Sequence, residues 1–311
     1  MKKRIMFALV CLVTVSALLT AAGRTEGTAP RYVNPETLQV QLIPSRDAAY
    51  LDAQRLPMQQ LLSAQLGMPV VVTVATDYNA LIEGMASEQI HVGLLATTAY
   101  VLAADEGFAE AILASLRFDV DDFGVQQRHL PLVSGYKAQL VAGVNSGIRS
   151  VADLRGKRIA IASFTSTSGF VWPANLLADN GLNPETDVNW VNVGGHDNAI
   201  LAVYNGEVDA AFTFKDARSL FDKEAFHADL MSKVVLVTDT TDIPNDTISV
   251  IPRLDPQLKQ RIADAFMKMM EDPAGREIMQ RIYNHEGYAP VSDSEYDLVR
   301  TYLARSQQWT F

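Results

Sequence analysis

Cysteine is all but missing from these 311 residues: the single one, Cys11, sits inside an apolar stretch near the N-terminus. A chain processed after that stretch carries no thiol, which excludes disulfides, thiolate metal sites and thiol nucleophiles. Histidine is scarce too, five in all and without paired ligand spacing, so no metal and no cofactor is expected. Positive charge is in deficit, with 26 Lys and Arg against 36 Asp and Glu, a net of −10. Lys2, Lys3 and Arg4 contribute +3, so the remainder carries −10 − 3 = −13. Such a surface argues against nucleic acid, whose binding depends on clustered cations. It does not exclude a small anion, which is held by local N–H groups and helix ends.

What is present begins with an address. Lys2, Lys3 and Arg4 form a basic start, Ile5 to Leu19 is nearly unbroken apolar sequence, and Thr20-Ala21-Ala22-Gly23 supply small residues. This pattern predicts an export signal over 1–23, and its apolar part falls short of the ~20 residues of a membrane span. The alternative is an uncleaved anchor. A lipid-bearing Cys is not expected, since Gly23 stands in its place. Residues 24–36, polar and Pro-containing, read as a flexible leader.

Beyond the leader, strand and helix patterns alternate, which predicts an α/β fold of sheets flanked by helices. Leu38–Ile43, Val70–Val74, His91–Leu95 and Ala111–Phe118 read as strands, with helical spacing between them, as in Met58, Leu61, Leu62 and Leu66. A second set follows: Gln139–Val144, Lys157–Ala162, Val188–Val193, Val208–Phe212 and Val234–Val237. Thr247–Ile251 reads as a return strand, and helices close the chain. Two crossings are predicted, near 136–141 and 245–250. They give one lobe from 37–138 and 247–311 and an inserted lobe from 139–246, each of ordinary domain size.

The strongest local signal is Ser163-Phe164-Thr165-Ser166-Thr167-Ser168-Gly169, between a strand and a helical pattern. Hydroxyl residues there cap the helix and leave its first N–H groups facing outward. With the helix dipole, Ser166, Thr167 and Ser168 make a site for a multi-oxygen anion. The plainer alternative is a cap and nothing more. Pro173 cannot donate within a helix, so a local irregularity or a later start is expected. Gly194-Gly195-His196-Asp197-Asn198 also joins a strand to a helix. His196 there either donates to an oxyanion at the strand edge or is a turn residue. Asp246, before the return strand, and Asp216, after another strand, are placed near the cleft or in solvated loops. Flanking an oxyanion, two acids suit a ligand bearing an amine. Tyr78 and Tyr136 offer O–H donors at strand–helix junctions, or simply core bulk. Arg46 either reaches an anion or lies on the surface.

Together these segments resemble the phosphonate-, phosphite- and phosphate-binding family of periplasmic solute-binding proteins. The resemblance covers Leu38 to Tyr288. It rests on Thr76-Asp77-Tyr78 with Ile82-Glu83-Gly84-Met85, Ser166-Thr167-Ser168-Gly169 with Pro173, Gly195-His196-Asp197 with Ala202 to Ala210, and Ile243-Pro244-Asn245-Asp246. The family implies a type II periplasmic binding protein fold: two lobes, each with a mostly parallel sheet, joined by two crossing hinge strands. It implies that Ser166, Thr167 and Ser168 hold phosphorus oxygens, that Tyr78, Tyr136 and His196 add donors, and that Asp216 and Asp246 hold an amine or tune the pocket. It also implies an ABC permease as partner, with the binding protein a monomer. His91-Val92-Gly93 and Ala96-Thr97-Thr98 depart from the family pattern, in the wall of the first lobe.

An enzyme is not expected. No Gly-x-Ser-x-Gly elbow accompanies Ser166 or any other serine, and no metal motif is present. A ligand-binding sensor subunit stays open beside the importer component. Within the importer reading an aminoalkylphosphonate is expected, because Asp216 and Asp246 can flank the site; phosphite, phosphate or methylphosphonate is the alternative.

Overall fold

The computed structural model describes residues 32–121, 127–221 and 229–311. The export signal expected over 1–23 and most of the leader lie outside them. The last part of the leader is tied down, for Val33 donates to Arg253 O and accepts from Asp255 N.

The first half of the chain alternates strictly: β1 (Leu38–Leu42), α1 (Ala48–Leu66), β2 (Val70–Val74), α2 (Tyr78–Ala86), β3 (Val92–Leu95), α3 (Thr97–Asp105) and β4 (Glu110–Leu116). Each helix has a local cause. Asp47 caps α1 by accepting from Tyr50 N, and Gly67 ends it at φ 63°, a conformation only glycine takes without strain. Leu51, Met58, Leu62 and Leu66 form its buried stripe. Asp77 accepts from Asn79 N and Ala80 N and so fixes where α2 starts.

The second set comprises β5 (Gly135–Gly143), β6 (Arg158–Ile161), α4 (Trp172–Asp179), β7 (Asn189–Asn192), α5 (His196–Tyr204), β8 (Ala210–Phe214), α6 (Leu230–Lys233) and β9 (Val234–Pro244). The chain then returns through β10 (Thr247–Val250), α7 (Pro256–Glu271), α8 (Pro273–Tyr283), β11 (Gly287–Ala289) and α9 (Asp297–Ser306).

Two sheets result, ordered β2-β1-β3-β10-β4-β11 and β7-β6-β8-β5-β9. The βαβ units make parallel pairs (β1 with β2 and β3, β6 with β7 and β8), whereas β5, β9, β10 and β11 pair antiparallel. The antiparallel strands are those entering, leaving or closing a lobe. This is the two-lobe α/β architecture of a type II periplasmic binding protein. Asn245 N donates to Ser134 O, Asn245 Nδ2 to Val133 O, and Arg117 and Val133 form an isolated bridge. The two crossings between sheets therefore run side by side and hold each other.

Helices cover both sheets. One core surrounds the first sheet, with Val40, Leu42, Leu94, Ile248 and Phe266 buried, and it continues across to Phe170 and Trp172 at the start of α4. Each large side chain so buried contributes roughly 1.5–3 kcal/mol. Two smaller clusters fill the faces of the second sheet, around Val141 and Ile200 and around Leu140 and Phe212. Helix α9 packs on both α3 and α4. Trp172 stacks on Tyr302 at 4.4 Å, and Asn175 Nδ2 donates to Tyr302 O and Ser306 Oγ. No helix among the described residues is long and apolar enough to cross a membrane.

Candidate ligand-binding site

Strand β6 ends at Ile161, and the chain turns through the Ser/Thr segment into α4. Ser166 Oγ accepts from Gly169 N at 3.1 Å, as a cap should. The backbone then widens for one turn: Val171 N donates to Ser166 O, and Trp172 N to Thr167 O, each five residues back. This π-type turn is the irregularity foreseen from Pro173, which ends up in the first turn of α4, where no donor is needed. The amides of Thr167 and Ser168 open the widened turn and have no intrahelical partner by position.

These residues face a cavity between the sheets, also lined by Tyr78, Tyr136, His196, Asp246, Arg46 and Arg117. Its volume is about 40 Å³, counted over the centre of a water-sized sphere. On that measure one water needs at least about 10–15 Å³, so the space suits a few waters or one small tetrahedral group. Both sheets contribute. Tyr78 begins α2, Tyr136 lies on β5, His196 begins α5, and Asp246 sits between β9 and β10.

The phenols are donors throughout the physiological range. Burial pushes the Tyr78 hydroxyl up, against a hydrogen bond with Ser166 that lowers it. Burial does the same for Tyr136. The imidazole of His196 moves down to about 4, because burial penalises its charged form more than Asp246 favours it. It is therefore neutral near pH 7. Its Nε2 lies 3.5 Å from Ser166 Oγ, and its buried Nδ1 has no hydrogen-bond partner among the described residues.

Three contacts close the sheets over the cavity. Thr98 N donates to Thr167 Oγ1 at 2.8 Å. His196 N donates to Ser45 O at 3.0 Å, and Asp47 N to Asp197 Oδ2 at 2.8 Å.

Seven of the eight residues singled out in the sequence meet in this cavity: Tyr78, Tyr136, Ser166, Thr167, Ser168, His196 and Asp246. Asp216 does not line it. Its carboxylate is buried against Arg218, whose Nε donates at 3.0 and 2.9 Å and whose second nitrogen adds a further bond, and Oδ1 also accepts the Arg218 amide. A carboxylate so occupied has little left for a ligand amine, and of the two acids only Asp246 lines the cavity.

Two arginines take part. Arg46 is buried in the wall, with its guanidinium 3.9 Å from the Tyr50 ring centroid and its Nε ion-paired with Asp197 Oδ2 at 3.9 Å, beyond hydrogen-bond distance. Arg117 was missed. It follows β4 directly, lies 4.6 Å from the Tyr136 ring centroid, and donates to Asp246 Oδ2 at 3.1 Å. The available signal was a charged residue at the C-terminal end of an apolar strand, where open α/β sheets bind ligands. For Asp246, burial alone would push the carboxyl up; His285 and the Arg117 charge outweigh that, and it titrates below its ordinary range. His285 Nε2 stands 3.7 Å from Oδ2, too far for a direct hydrogen bond, so its influence is electrostatic.

A cavity walled by hydroxyls, neutral imidazole and helix-start amides suits an oxyanion, and comparison with known proteins decides which lineage carries it. The sequence profile described as "ABC transporter, phosphonate, periplasmic substrate-binding protein" matches residues 40–296. The chain belongs to this family. The "Phosphate-import protein PhnD" of Mycolicibacterium smegmatis is 26% identical over 317 residues, spanning 96% of this chain and 94% of the relative. Among solved structures, a binding-protein component of an ABC phosphonate transporter from Pseudomonas aeruginosa aligns with a TM-score of 0.75 at 19% identity, covering 88% of this chain and 87% of that one. PhnD1 of Prochlorococcus marinus, solved with methylphosphonate, gives 0.72 at 18% identity, covering 88% and 98%. At such identities the structural likenesses speak to the fold. As a member of the family, the chain is a substrate-binding protein of a transporter system, a role that needs no covalent chemistry.

Proposed function

We propose that this chain is the extracytoplasmic solute-binding component of an ABC importer for a small phosphorus oxyanion, held between the sheets against the start of the helix after β6. The observation that carries this is the convergence of Ser166, Thr167, Ser168, Tyr78 and His196, from both sheets, on one small cavity. A tetrahedral anion offers several acceptor oxygens and no apolar bulk. It replaces water around the Thr167 and Ser168 amides and the hydroxyls, with the helix dipole favouring its charge. The relatives named for phosphate import and for phosphonate transport fit that ligand class.

Function then follows from closure. Ligand contacts made from both sheets exist together only in the closed form, so binding shifts the population toward it, and a permease reads the closed shape. Every step is binding, consistent with a non-enzymatic role.

Calorimetric titration of the purified chain tests the reading. Phosphate, phosphite or methylphosphonate gives saturable heat with one site, and sulfate gives far less. A chain inert to every phosphorus oxyanion would rule the proposal out.

A further inference from the structure

Arg117 and Asp246 are brought together by the fold itself. Thr247, the first residue of β10, pairs with Ala114 on β4, and Ser115 N donates to Asp246 O at 2.9 Å. The side chains that follow then meet inside the cavity, Arg117 donating to Asp246 Oδ2 at 3.1 Å. The guanidinium is buried beneath the Tyr136 ring, and its Nε has no hydrogen-bond partner among the described residues. A second cavity of about 20 Å³, mainly apolar, adjoins the first and shares Ser45, Ala96, Asp246 and Tyr283 with it. A substituent on the phosphorus atom extending that way passes Asp246, which lines both cavities.

We propose that Arg117 sets the ligand class: it holds the place beside Asp246 that a ligand ammonium would take, so the site accepts phosphorus oxyanions without an amine and rejects those carrying one. This rests on the oxyanion reading above and narrows it. The physical reason is charge. With Asp216 committed to Arg218, Asp246 is the one carboxylate among the cavity-lining residues, and its countercharge is already supplied by the protein. An incoming ammonium meets a resident cation at close range, and like charges juxtaposed in a desolvated site repel strongly. An amine-free ligand meets the same guanidinium without that repulsion.

The test compares 2-hydroxyethylphosphonate with 2-aminoethylphosphonate, equal in length and differing in charge, by calorimetry on the full chain. The unaltered protein binds the hydroxyl ligand at least about tenfold more tightly. Arg117→Met, which frees Asp246 for a ligand cation, narrows that ratio at least about tenfold or reverses it. Asp246→Asn, which leaves Arg117 uncompensated, widens it; this variant keeps the test alive if Arg117→Met does not fold, as circular dichroism would reveal. Equal rejection of both ligands assigns the selection to size and overturns the proposal, as does equal acceptance, an unchanged ratio in Arg117→Met, or a gain of amine binding in Asp246→Asn. Silence toward these two and toward phosphate, phosphite and methylphosphonate overturns the oxyanion reading itself, and this one with it.

Discussion

Thr167 Oγ1 accepts a hydrogen bond from the backbone N–H of Thr98 at 2.8 Å, joining the start of the widened turn in one lobe to the first turn of α3 in the other. Since the oxygen is the acceptor in that bond, the hydroxyl proton remains available to donate to a ligand. One side chain thus serves closure and recognition together.

Thr167→Ala removes both. Loss of a hydrogen bond to a charged partner costs roughly 1.5–3 kcal/mol, about 10- to 150-fold in Kd. Thr167→Ser keeps the hydroxyl and loses much less. Isothermal calorimetry of the two variants with the preferred anion is the measurement; equal affinities for Ala and Ser at this position would reduce Thr167 to packing.

Gly169 is required for close approach. A Cβ there would stand 2.8 Å from Ser166 Oγ and 3.3 Å from Ala162 N, closer than the cap can accommodate. Gly169→Ala must displace Ser166, so it costs about 1–3 kcal/mol of stability and weakens anion binding more than tenfold. Thermal melting read beside ligand titration checks both parts. Normal affinity in this variant would mean the cap and the ligand seat are independent.

His196 makes stability depend on pH. Its folded-state value near 4 lies below the ordinary 6.5, so the unfolded chain binds more protons between the two. Stability rises with pH through that window, is fully present above about 6.5 and is lost as pH falls toward 4. A displacement of that size is worth about 3 kcal/mol at most. Burial lowers His91 and His285 as well, so they act with the same sign. Urea unfolding from pH 7.5 to 4 shows the slope, and His196→Gln flattens it; an identical slope in that variant would place the titration elsewhere.

Asp216 serves the fold. Asp216→Asn leaves the buried Arg218 without its carboxylate, and breaking such a pair costs about 3–5 kcal/mol. Denaturant unfolding registers the loss, while the ligand profile stays as in the parent chain. A selective drop in amine-ligand affinity would restore Asp216 to the site.

Much of this was legible beforehand, for reasons visible in particular residues. The Ser166–Gly169 loop could be read because strand, hydroxyls, glycine and helix in that order force amides outward whatever surrounds them. His196 could be placed only at a strand-to-helix turn; which way its ring points was open. Asp216 was misplaced because its partner is a question of rotamer: Arg218, two residues on, folds back over it, and spacing does not reveal that. Arg117 was hidden inside a stretch read as strand to Phe118, whereas the ladder ends at Leu116. The second half of β9, Thr238 to Pro244, was unreadable because its polar residues carry no alternation; its pairing with β5 makes it a strand. β11, three residues long, owes its existence to β4 alone.

The Trp172–Tyr302 stack gives the molecule an optical property. The indole lies on the seam between α4 and α9, dry and against a second ring. A motion that drew these two helices apart would wet the indole and shift its emission to longer wavelength. The protein carries its own label for that seam, readable by stopped flow without attaching a dye once the emission of Trp190 and Trp309 is subtracted.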